Sequence, residues 1–301
     1  MYTNFNNQNF ELIKGGNKPI YKFPTSDVFN IDQNVVFSFG EEWQKFCNFT
    51  NEEINVVGNE YFGFIDNVIL NKNIIALDIG CGTGRWTKYL ASKVKFVEAI
   101  DPSKAILYAD KLLSDVPNVR LSMASTDNIP FEDETFDFVM SVGVLHHIPD
   151  TRKAMFDCVK KVKKGGFFYV YLYYKLDNRG LGFKFIFHIS DAIRCFVSSL
   201  PSNLKKVVAD FIAYFVYVPL VYFGKFVKRL GFLQLSKKMP LSAYQNKSIF
   251  IMRNDALDRF GTSLEQRFTK NEIISMMESC GLTDIIIPDG PIYWCALGKK
   301  L

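Results

Sequence analysis

The stretch Leu77-Asp78-Ile79-Gly80-Cys81-Gly82-Thr83-Gly84-Arg85 joins an apolar run to a segment of helical character and carries three glycines at alternate positions. Glycine is favoured where the chain turns tightly and a ligand approaches the backbone, and the helix that follows offers its amino-terminal N–H groups. An acid two residues before a G-x-G-x-G pattern differs from the G-x-G-x-x-G turn of dinucleotide-binding domains. The stretch therefore predicts a ligand site at a strand-to-helix turn.

Short apolar runs alternate with helical segments on both sides of this turn. Strands are predicted at 74–79, 96–100, 119–123, 136–142 and 167–174, with helices after Gly84, Ser103 and Asp150. Continuous apolar strands imply burial on both faces, and strand–helix–strand spacing implies parallel pairing with right-handed crossovers. The predicted fold class is α/β, with a doubly wound sheet. Near the end, Thr269 and Glu272 form a capping box for a helix that Gly281 terminates, followed by strands at 283–287 and 292–297.

Four regions follow from these changes of pattern. Residues 1–72 are predicted to be an amino-terminal helical cap, 73–174 the ligand-binding core, 175–264 a mainly helical insertion, and 265–301 the end of the core sheet.

Charge and aromatic side chains concentrate in the insertion. Residues 175–238 hold eleven Lys or Arg, three Asp and twelve aromatic residues, whereas the whole chain carries a formal charge of only +5. The rest of the chain is therefore slightly acidic. No stretch reaches the ~20 apolar residues that span a bilayer, and Phe211 to Phe223, interrupted at Pro219, is expected to be too short to cross.

Several classes of protein are excluded by composition. A hydrophobic fraction of 48% with 19 Gly and 11 Pro argues against disorder or a low-complexity chain. Six unclustered cysteines and three histidines argue against a metal site or a disulfide framework. The polar amino terminus lacks the pattern of a secretory signal, which predicts a cytoplasmic protein.

Three further motifs stand downstream of the glycine-rich turn. The second strand ends in Asp101-Pro102-Ser103, and the two later motifs are Asn128 to Val139 and Ser141-Val-Gly-Val-Leu-His-His-Ile-Pro-Asp150. In this order the motifs resemble class I S-adenosylmethionine-dependent methyltransferases, especially the ubiquinone and menaquinone methyltransferase branch. The resemblance covers 74–174 densely and 265–298 loosely. It implies a Rossmann-like, seven-stranded methyltransferase sheet and S-adenosylmethionine as cofactor, with S-adenosylhomocysteine as product.

The resemblance also implies cofactor-binding residues. The three glycines of the turn would cradle the methionine part, Asp78 and Arg85 would hold its amino and carboxylate ends, and Asp101 would hold the ribose. The complete expected set is Asp78, Gly80, Cys81, Gly82, Gly84, Arg85, Asp101, Pro102, Ser125, Thr126, Val142 and Gly143. Ser125 stands where many relatives carry an Asp, and Cys81 is interpreted as a small packing residue.

His146 and His147 are the candidate general bases, because an imidazole titrates near neutrality and they follow the strand that ends at the cofactor. The alternative is that they only tie the loop down. Candidate acceptor-binding residues are Trp43, Tyr173, Tyr174, Asn178, Arg179, Arg253, Asp255 and Arg259. In this group the spacing of Asp255 and Arg259 also fits an ordinary surface ion pair.

The predicted function is methyl transfer to a small-molecule acceptor, either a lipid or quinone-like compound or a saccharide or other polar metabolite. Peripheral membrane contact or a homodimer through 175–238 would explain the apolar insertion, and no nucleic-acid motif is found. The competing interpretations are a non-catalytic cofactor-binding regulator or scaffold and, less well supported, an NAD-binding oxidoreductase.

Overall fold

The computed structural model describes residues 3–6, 9–14, 16–24, 30–37, 40, 49–66, 68–175, 180–288 and 294–301, without the side chains of Leu181, Phe183, Lys184 and Ser202. The chain divides into two compact units, 1–177 with 264–301 and 178–263. The second unit lies within three residues of the expected insertion at both ends.

All strands formed by the described residues belong to the first unit. They are β1 (Glu11–Ile13), β2 (Ile20–Lys22), β3 (Ile75–Ile79), β4 (Phe96–Ile100), β5 (Val119–Met123), β6 (Phe136–Val142), β7 (Val162–Leu172), β8 (Leu282–Ile286) and β9 (Trp294–Lys300). The α-helices whose two ends both lie within the described residues are α1 (Asn51–Phe62), α2 (Arg85–Ala91), α3 (Ile106–Leu112), α4 (Thr151–Lys160), α5 (Leu181–Ser198), α6 (Ser202–Ile212), α7 (Val218–Arg229), α8 (Leu233–Lys238), α9 (Ile249–Gly261) and α10 (Lys270–Ser279).

One sheet runs through the first unit in the order β1-β2-β5-β4-β3-β6-β7-β9-β8. The strands from β2 to β7 pair in parallel, whereas β9 is antiparallel to both of its neighbours. This confirms the doubly wound α/β fold class. The strand order reverses at β3, and the carboxyl ends of β3, β4 and β6 meet at one edge, which is where open α/β sheets bind ligands.

The expected helical cap is wrong for the start of the chain. Residues 11–13 and 20–22 are strands that extend the sheet beyond β5, so the described residues form nine strands rather than seven. Strands of only three residues in an Asn-rich segment are too short to show the alternating hydrophobic pattern by which a strand is predicted. Their placement comes from tertiary contacts, because Phe5 and Phe10 pack on Tyr21 and Phe23. Helix α1 does follow, with Thr50 and Glu53 forming its capping box.

The other predicted elements agree closely with the structure. The Thr269–Glu272 capping box opens α10, and Gly281 has a φ of +83° directly after that helix. Strand β7 begins earlier than expected, at Val162 rather than at 167. Its first residues are Val-Lys-Lys-Gly-Gly, which have weak strand propensity, and pairing of Val162 with Phe136 of β6 overrides that preference.

Helices, joined by turns, are the regular secondary structure among the described residues of the second unit. Helix α9 packs against α5 and α6. Its buried face joins Val197, Ile212, Tyr217 and Val221 in one apolar core. This packing fixes which face of each helix is turned inward.

The predicted limit on the apolar segment 211–223 is wrong. Residues Asn203–Arg229 form a continuous helix of 27 residues, which by length and composition alone is sufficient to cross a bilayer. Pro219 does not break it, because Pro219 lies at the first turn of α7, where a missing N–H is tolerated, directly after a π-helical turn at Ala213–Tyr217. A core helix meets the same criterion, so this length is weak evidence for spanning.

Candidate functional site at the glycine-rich turn

The glycine-rich turn is tied to the neighbouring strand by its own backbone. The N–H groups of Gly80 and Cys81 both donate to the carbonyl oxygen of Ile100, at 2.8 and 3.0 Å. Gly80, Gly82 and Gly84 have φ values of +76°, +56° and +82°. A Cβ at Gly80 would lie 2.4 Å from Cγ2 of Val144, so only glycine fits both the dihedral angle and the space.

Asp101 connects the end of β4 to the turn. Its Oδ2 accepts the N–H of Gly82 at 2.9 Å, and its Oδ1 accepts the N–H and the hydroxyl of Ser103 at 2.8 and 2.6 Å. The Ser103 hydroxyl in turn accepts the N–H of Ala105 at 3.2 Å. A carboxylate accepts about four hydrogen bonds, so Oδ2 retains capacity for a ribose hydroxyl. Burial raises the pKa of Asp101.

Asp78 is buried at the end of β3 and accepts the Thr87 hydroxyl at 2.6 Å. Burial raises the pKa of Asp78 to about 7, and the nearby Asp101 acts in the same direction. The Arg85 guanidinium lies over the rings of Trp86 and Phe49, at 4.2 and 4.9 Å from their centroids. The turn thus has an acid of near-neutral pKa on one strand and an arginine at the start of α2.

Two hydroxyls after β5 are buried without a described hydrogen-bond partner. They are the Ser125 Oγ and the Thr126 Oγ1. A buried hydroxyl without a partner costs free energy unless a ligand or a water satisfies it. The apolar side chains of Ala124 and Ile129 are buried beside these hydroxyls in the sequence. This combination fits a flat, polar-edged ring.

The end of β6 places backbone close to the same edge. Gly143 has a φ of +78° and donates its N–H to the carbonyl oxygen of Tyr171 at 3.2 Å, and Val142 is buried beside it. Cys81 is also buried, and burial raises the pKa of its thiol well above the ordinary value. The thiol therefore stays protonated, in agreement with its interpretation as a packing residue.

The two histidines lie in a short 3₁₀ turn at Leu145–His147 and differ in their contacts. His146 is fully buried, stacks on Tyr173 with ring centroids 3.9 Å apart, and has both ring nitrogens without a described partner. Burial holds the pKa of His146 well below its ordinary value, and His147 and Arg267 act in the same direction. His147 instead bonds the carbonyl oxygen of Leu264 through Nδ1 at 2.7 Å. His146 is therefore neutral, and His147 ties the loop down.

A family model described as "Methyltransferase domain" matches residues 77–170, which contain the turn, Asp101 and both histidines. Residues 77–170 are a methyltransferase domain. A curated demethylmenaquinone methyltransferase from Staphylococcus aureus is 35% identical over 101 residues, which are 32% of this chain and 42% of that protein. The chain thus spans less than half of the length of the curated relatives that it matches.

Solved methyltransferase structures give weaker likenesses. An S-adenosylmethionine-dependent methyltransferase from Aquifex aeolicus aligns over 84% of this chain and all of its own, at 14% identity and a TM-score of 0.44. A 1,6-didemethyltoxoflavin-N1-methyltransferase from Burkholderia thailandensis aligns over 82% of this chain and 76% of its own, at 14% identity and a TM-score of 0.44. The fold of the first unit is instead defined by its strand order.

The residues of the methyltransferase domain fit S-adenosylmethionine, the methyl donor of this class. The glycine cradle that a Cβ at Gly80 would fill, the remaining acceptor capacity of Asp101 and the two orphaned hydroxyls lie on consecutive strand ends of one sheet edge. The expected cofactor-binding residues are thus gathered at one edge.

The segment that returns from the second unit adds residues that sequence reasoning missed. The Gln266 N–H donates to the carbonyl oxygen of His146 at 2.9 Å. Arg267 donates to the carbonyl oxygen of Tyr174 at 3.2 Å and pairs with the buried carboxylate of Glu265. No local pattern in 264–268 predicts these roles, because their partners lie about 90 to 120 residues away in the chain.

The expected acceptor-binding residues separate into several places. Tyr173 joins the His146 stack, whereas Tyr174 packs edge-on against Trp294. Arg253 pairs with Asp210 within the second unit, through two contacts of 2.9 Å. Asp255 and Arg259 lie on α9 in the same unit, where the Asp255 carboxylate accepts the Asn254 amide at 3.4 Å and Arg259 lies over the ring of Phe187. Trp43, Asn178 and Arg179 lie outside the described residues.

Proposed function

We propose that this protein is an S-adenosylmethionine-dependent methyltransferase that transfers a methyl group to a small-molecule acceptor. The observation that carries the proposal is the glycine-rich turn, in which Gly80 admits no side chain and Gly82 donates to Asp101, within a segment that matches the methyltransferase domain family. The cofactor supplies an activated methyl group on sulfur. The chain binds and orients the cofactor and the acceptor and excludes water from them.

The donor side is assigned to residues on three consecutive strand ends. Asp101 would accept the ribose hydroxyls, and Asp78 would accept the amino group of the methionine part. Ser125 and Thr126, with orphaned hydroxyls, would satisfy polar edges of the adenine ring. Arg85, which is held over aromatic rings, would meet the carboxylate.

The acceptor side is assigned to the aromatic cluster at the ends of β6 and β7. The rings of His146 and Tyr173 stack with an interplanar angle of 27°, and the ring centroid of Tyr171 lies 5.8 Å from that of Tyr173. A neutral imidazole can accept a proton from a hydroxyl as that hydroxyl attacks, and a general base typically contributes about 10²- to 10⁴-fold in rate. The lowered pKa of His146 keeps the imidazole neutral but makes it a weaker base than an ordinary histidine. Holding the acceptor atom in line with the methyl group and the sulfur lowers the activation barrier by more, up to roughly 7–11 kcal/mol.

An apolar, ring-containing acceptor such as a quinone or lipid derivative is favoured over a polar metabolite. Aromatic side chains line this end of the sheet, and the similar protein from Staphylococcus aureus is named for a demethylated menaquinone. Arg253, a candidate acceptor-binding residue that could pair with an acidic group of a polar acceptor, instead has its guanidinium occupied by the bidentate pair with Asp210. A cytoplasmic location is proposed with it, since Cys81, Cys158, Cys195, Cys280 and Cys295 are all free thiols.

Calorimetric titration of the purified full chain with S-adenosylhomocysteine and with NAD tests the donor site. Binding of S-adenosylhomocysteine is expected, with loss of binding in Asp101→Ala. Asp115→Ala is a matched control, because Asp115 is an exposed carboxylate paired with Lys88. Preference for NAD would overturn the proposal in favour of an oxidoreductase.

Turnover is tested with S-adenosylmethionine labelled in the methyl group and a demethylated menaquinol as the probe acceptor. Label in the organic phase is expected for an apolar acceptor. If the protein binds S-adenosylhomocysteine but transfers no label to this probe or to a lipid extract, a non-catalytic cofactor-binding regulator or scaffold replaces the enzyme as the better interpretation.

A further inference from the structure

Exposed apolar side chains are concentrated in the second unit. Of the 27 large hydrophobic side chains that are exposed among the described residues, 19 lie between Phe185 and Ile249. Scattered single apolar side chains are ordinary on a protein surface, but a contiguous set marks an interaction surface. The second unit therefore presents more apolar side chains than are expected on a surface that contacts only water.

The long helix Asn203–Arg229 is divided into two faces. One face carries buried side chains that pack in the unit's own core, among them Ile212, Ala213, Tyr217 and Val221. The other face is exposed and carries side chains three, four or seven residues apart, which are Leu204, Val207, Phe211, Phe215, Tyr222 and Phe226. That spacing places them on one stripe of a helix.

Helix α5 repeats this arrangement over a shorter length. Phe185, Ile189, Ile193 and Phe196 are exposed at helical spacing, whereas Val197 is buried in the core. Two helices of the unit therefore each keep an apolar face outside the core that they share.

Positive charge accompanies the apolar face. The chain has no Asp or Glu between Asp210 and Asp255, a stretch with seven Lys or Arg. Within it, 225–238 alternates exposed apolar side chains with exposed cations. The apolar members are Phe226, Leu230, Phe232, Leu233 and Leu235, and the cations are Lys225, Lys228, Arg229, Lys237 and Lys238.

We propose that the second unit docks this protein peripherally onto an anionic lipid bilayer through the exposed face of α5 to α8, called here the docking face. Aliphatic and aromatic side chains enter the interfacial layer while the lysine and arginine side chains reach the lipid phosphates, which is the composition of interfacial helices. Docking concerns a surface other than the methyl-donor site, so it goes beyond the proposed function.

The packing favours docking over spanning. The inner face of the long helix is committed to the core with α9, and Asp210 on this helix pairs with Arg253. A spanning orientation would carry this ion pair and the polar residues of α9 into hydrocarbon, which is costly. Lying along the interface leaves the core and the ion pair undisturbed.

Charge also favours lipid over a second copy of the chain. A symmetric dimer places the same patch on itself, so the cations of 225–238 would face their own copies with no acid in the segment to balance them. Anionic headgroups supply the complementary charge.

Flotation of the full chain with vesicles tests the proposal. The protein is expected to float with vesicles of phosphatidylcholine and phosphatidylserine, to float less with phosphatidylcholine alone, and to be released by high salt. The four-site variant Lys228→Gln, Arg229→Gln, Lys237→Gln and Lys238→Gln should lower partitioning by about 10²- to 10³-fold, since each cation contributes about fivefold. The matched control changes four exposed lysines of the first unit, Lys14, Lys95, Lys111 and Lys164, to Gln and should float like the parent.

A second variant tests the apolar half of the docking face. Phe226→Ser with Phe232→Ser should also lower flotation, whereas Phe156→Ser with Val68→Ser, exposed in the first unit, should not. Equal flotation of parent and variants would overturn the proposal. A stable dimer in sedimentation that vesicles do not change would overturn it as well. Retention of the protein on vesicles after alkaline carbonate would indicate that it spans the bilayer and would also overturn the proposal. S-adenosylhomocysteine binding of each variant, measured in parallel, separates a failure here from a failure of the proposed enzyme.

Discussion

The Asp101 carboxylate accepts the N–H of Gly82 at 2.9 Å, which connects the carboxyl end of β4 to the glycine-rich turn after β3. These two strands are neighbours in the sheet, and 19 residues separate the two partners in the chain. The bond closes the turn onto the carboxylate assigned to the ribose. If Asp101 binds the ribose as proposed, cofactor binding depends on the shape of the turn, and changes at either partner should affect both.

Gly80→Ala is expected to destabilise the protein and to abolish S-adenosylhomocysteine binding. The new Cβ would meet Val144 at 2.4 Å and the residue would keep a φ of +76°, which together should cost roughly 2–4 kcal/mol in the free energy of unfolding. Gly165→Ala is the matched control, because Gly165 has a φ of +77° with nothing within 4 Å of its Cβ. Denaturant unfolding should give about 1–2 kcal/mol for the control, with binding intact. Equal effects of the two changes would contradict the steric argument.

The stability of the protein should fall as pH rises from about 4 to about 7 because of Asp78. Burial raises the pKa of Asp78 from 3.8 to about 7, so in this window the folded state holds a proton that the unfolded state has lost. At pH 8 the raised pKa of Asp78 lowers the free energy of unfolding by roughly 4 kcal/mol. Asp78→Asn keeps an acceptor for Thr87 and should flatten this slope in unfolding measured at pH 5 and pH 8.

Asp115→Asn is the control for this pH dependence. Lys88 lowers the pKa of Asp115 in the folded protein. The contribution of Asp115 to the free energy of unfolding therefore changes only below the pKa that this residue has in the unfolded chain, and it is constant between pH 5 and 8. If Asp78→Asn kept the slope of the parent, another buried acid would be its source, and the role assigned to Asp78 would be wrong.

Affinity for S-adenosylhomocysteine should fall as the pH is lowered below about 7. An amino group held by Asp78 needs the ionised carboxylate, so each unit of pH below the pKa should weaken binding by about tenfold at most. Calorimetry at several pH values measures this. A dissociation constant independent of pH, or one that varies equally in Asp78→Asn, would exclude the assignment of Asp78 to the amino group.

His146→Phe should slow methyl transfer by about 10²- to 10⁴-fold without weakening S-adenosylhomocysteine binding. Phenylalanine keeps the volume and the stack on Tyr173 but has no basic nitrogen. Because burial lowers the pKa of His146 well below 6.5, the parent should show no acidic limb near pH 6.5 from this residue. His188→Phe on the exposed side of α5 is the control. Normal turnover in His146→Phe would reject the base assignment and leave a purely structural imidazole.

Arg253→Met should lower the free energy of unfolding by about 1 kcal/mol and leave turnover unchanged. Its guanidinium makes two contacts of 2.9 Å with Asp210, and both side chains are about one-quarter exposed, so solvent screens the pair. A double-mutant cycle with Asp210→Asn measures the coupling energy. A large loss of turnover with unchanged stability would instead support the acceptor-binding role that the sequence suggested for Arg253.

The sequence alone determined most of the first unit. Apolar runs of five to seven residues, bounded by glycines and capping residues, predicted strands β3 to β6 within one residue, because an apolar run and the turn residues at its ends are local properties of the sequence. The order of the glycine-rich turn, Asp101 and the histidines also led to the expectation that these residues meet at one edge of the sheet, and the strand order brings them there.

Tertiary structure decided the rest, and the reason in each case is a partner far away in the chain. Strands β1 and β2 form because β5 and an aromatic cluster receive them. The face of the long helix that turns inward is set by its packing in the core with α9. Glu265 and Arg267 reach the site because Gln266 and Arg267 donate to the carbonyl oxygens of His146 and Tyr174. Local propensity contains no information about such partners. Exposure of the docking face is also a tertiary property, since composition counts apolar side chains but only packing decides which of them the core buries.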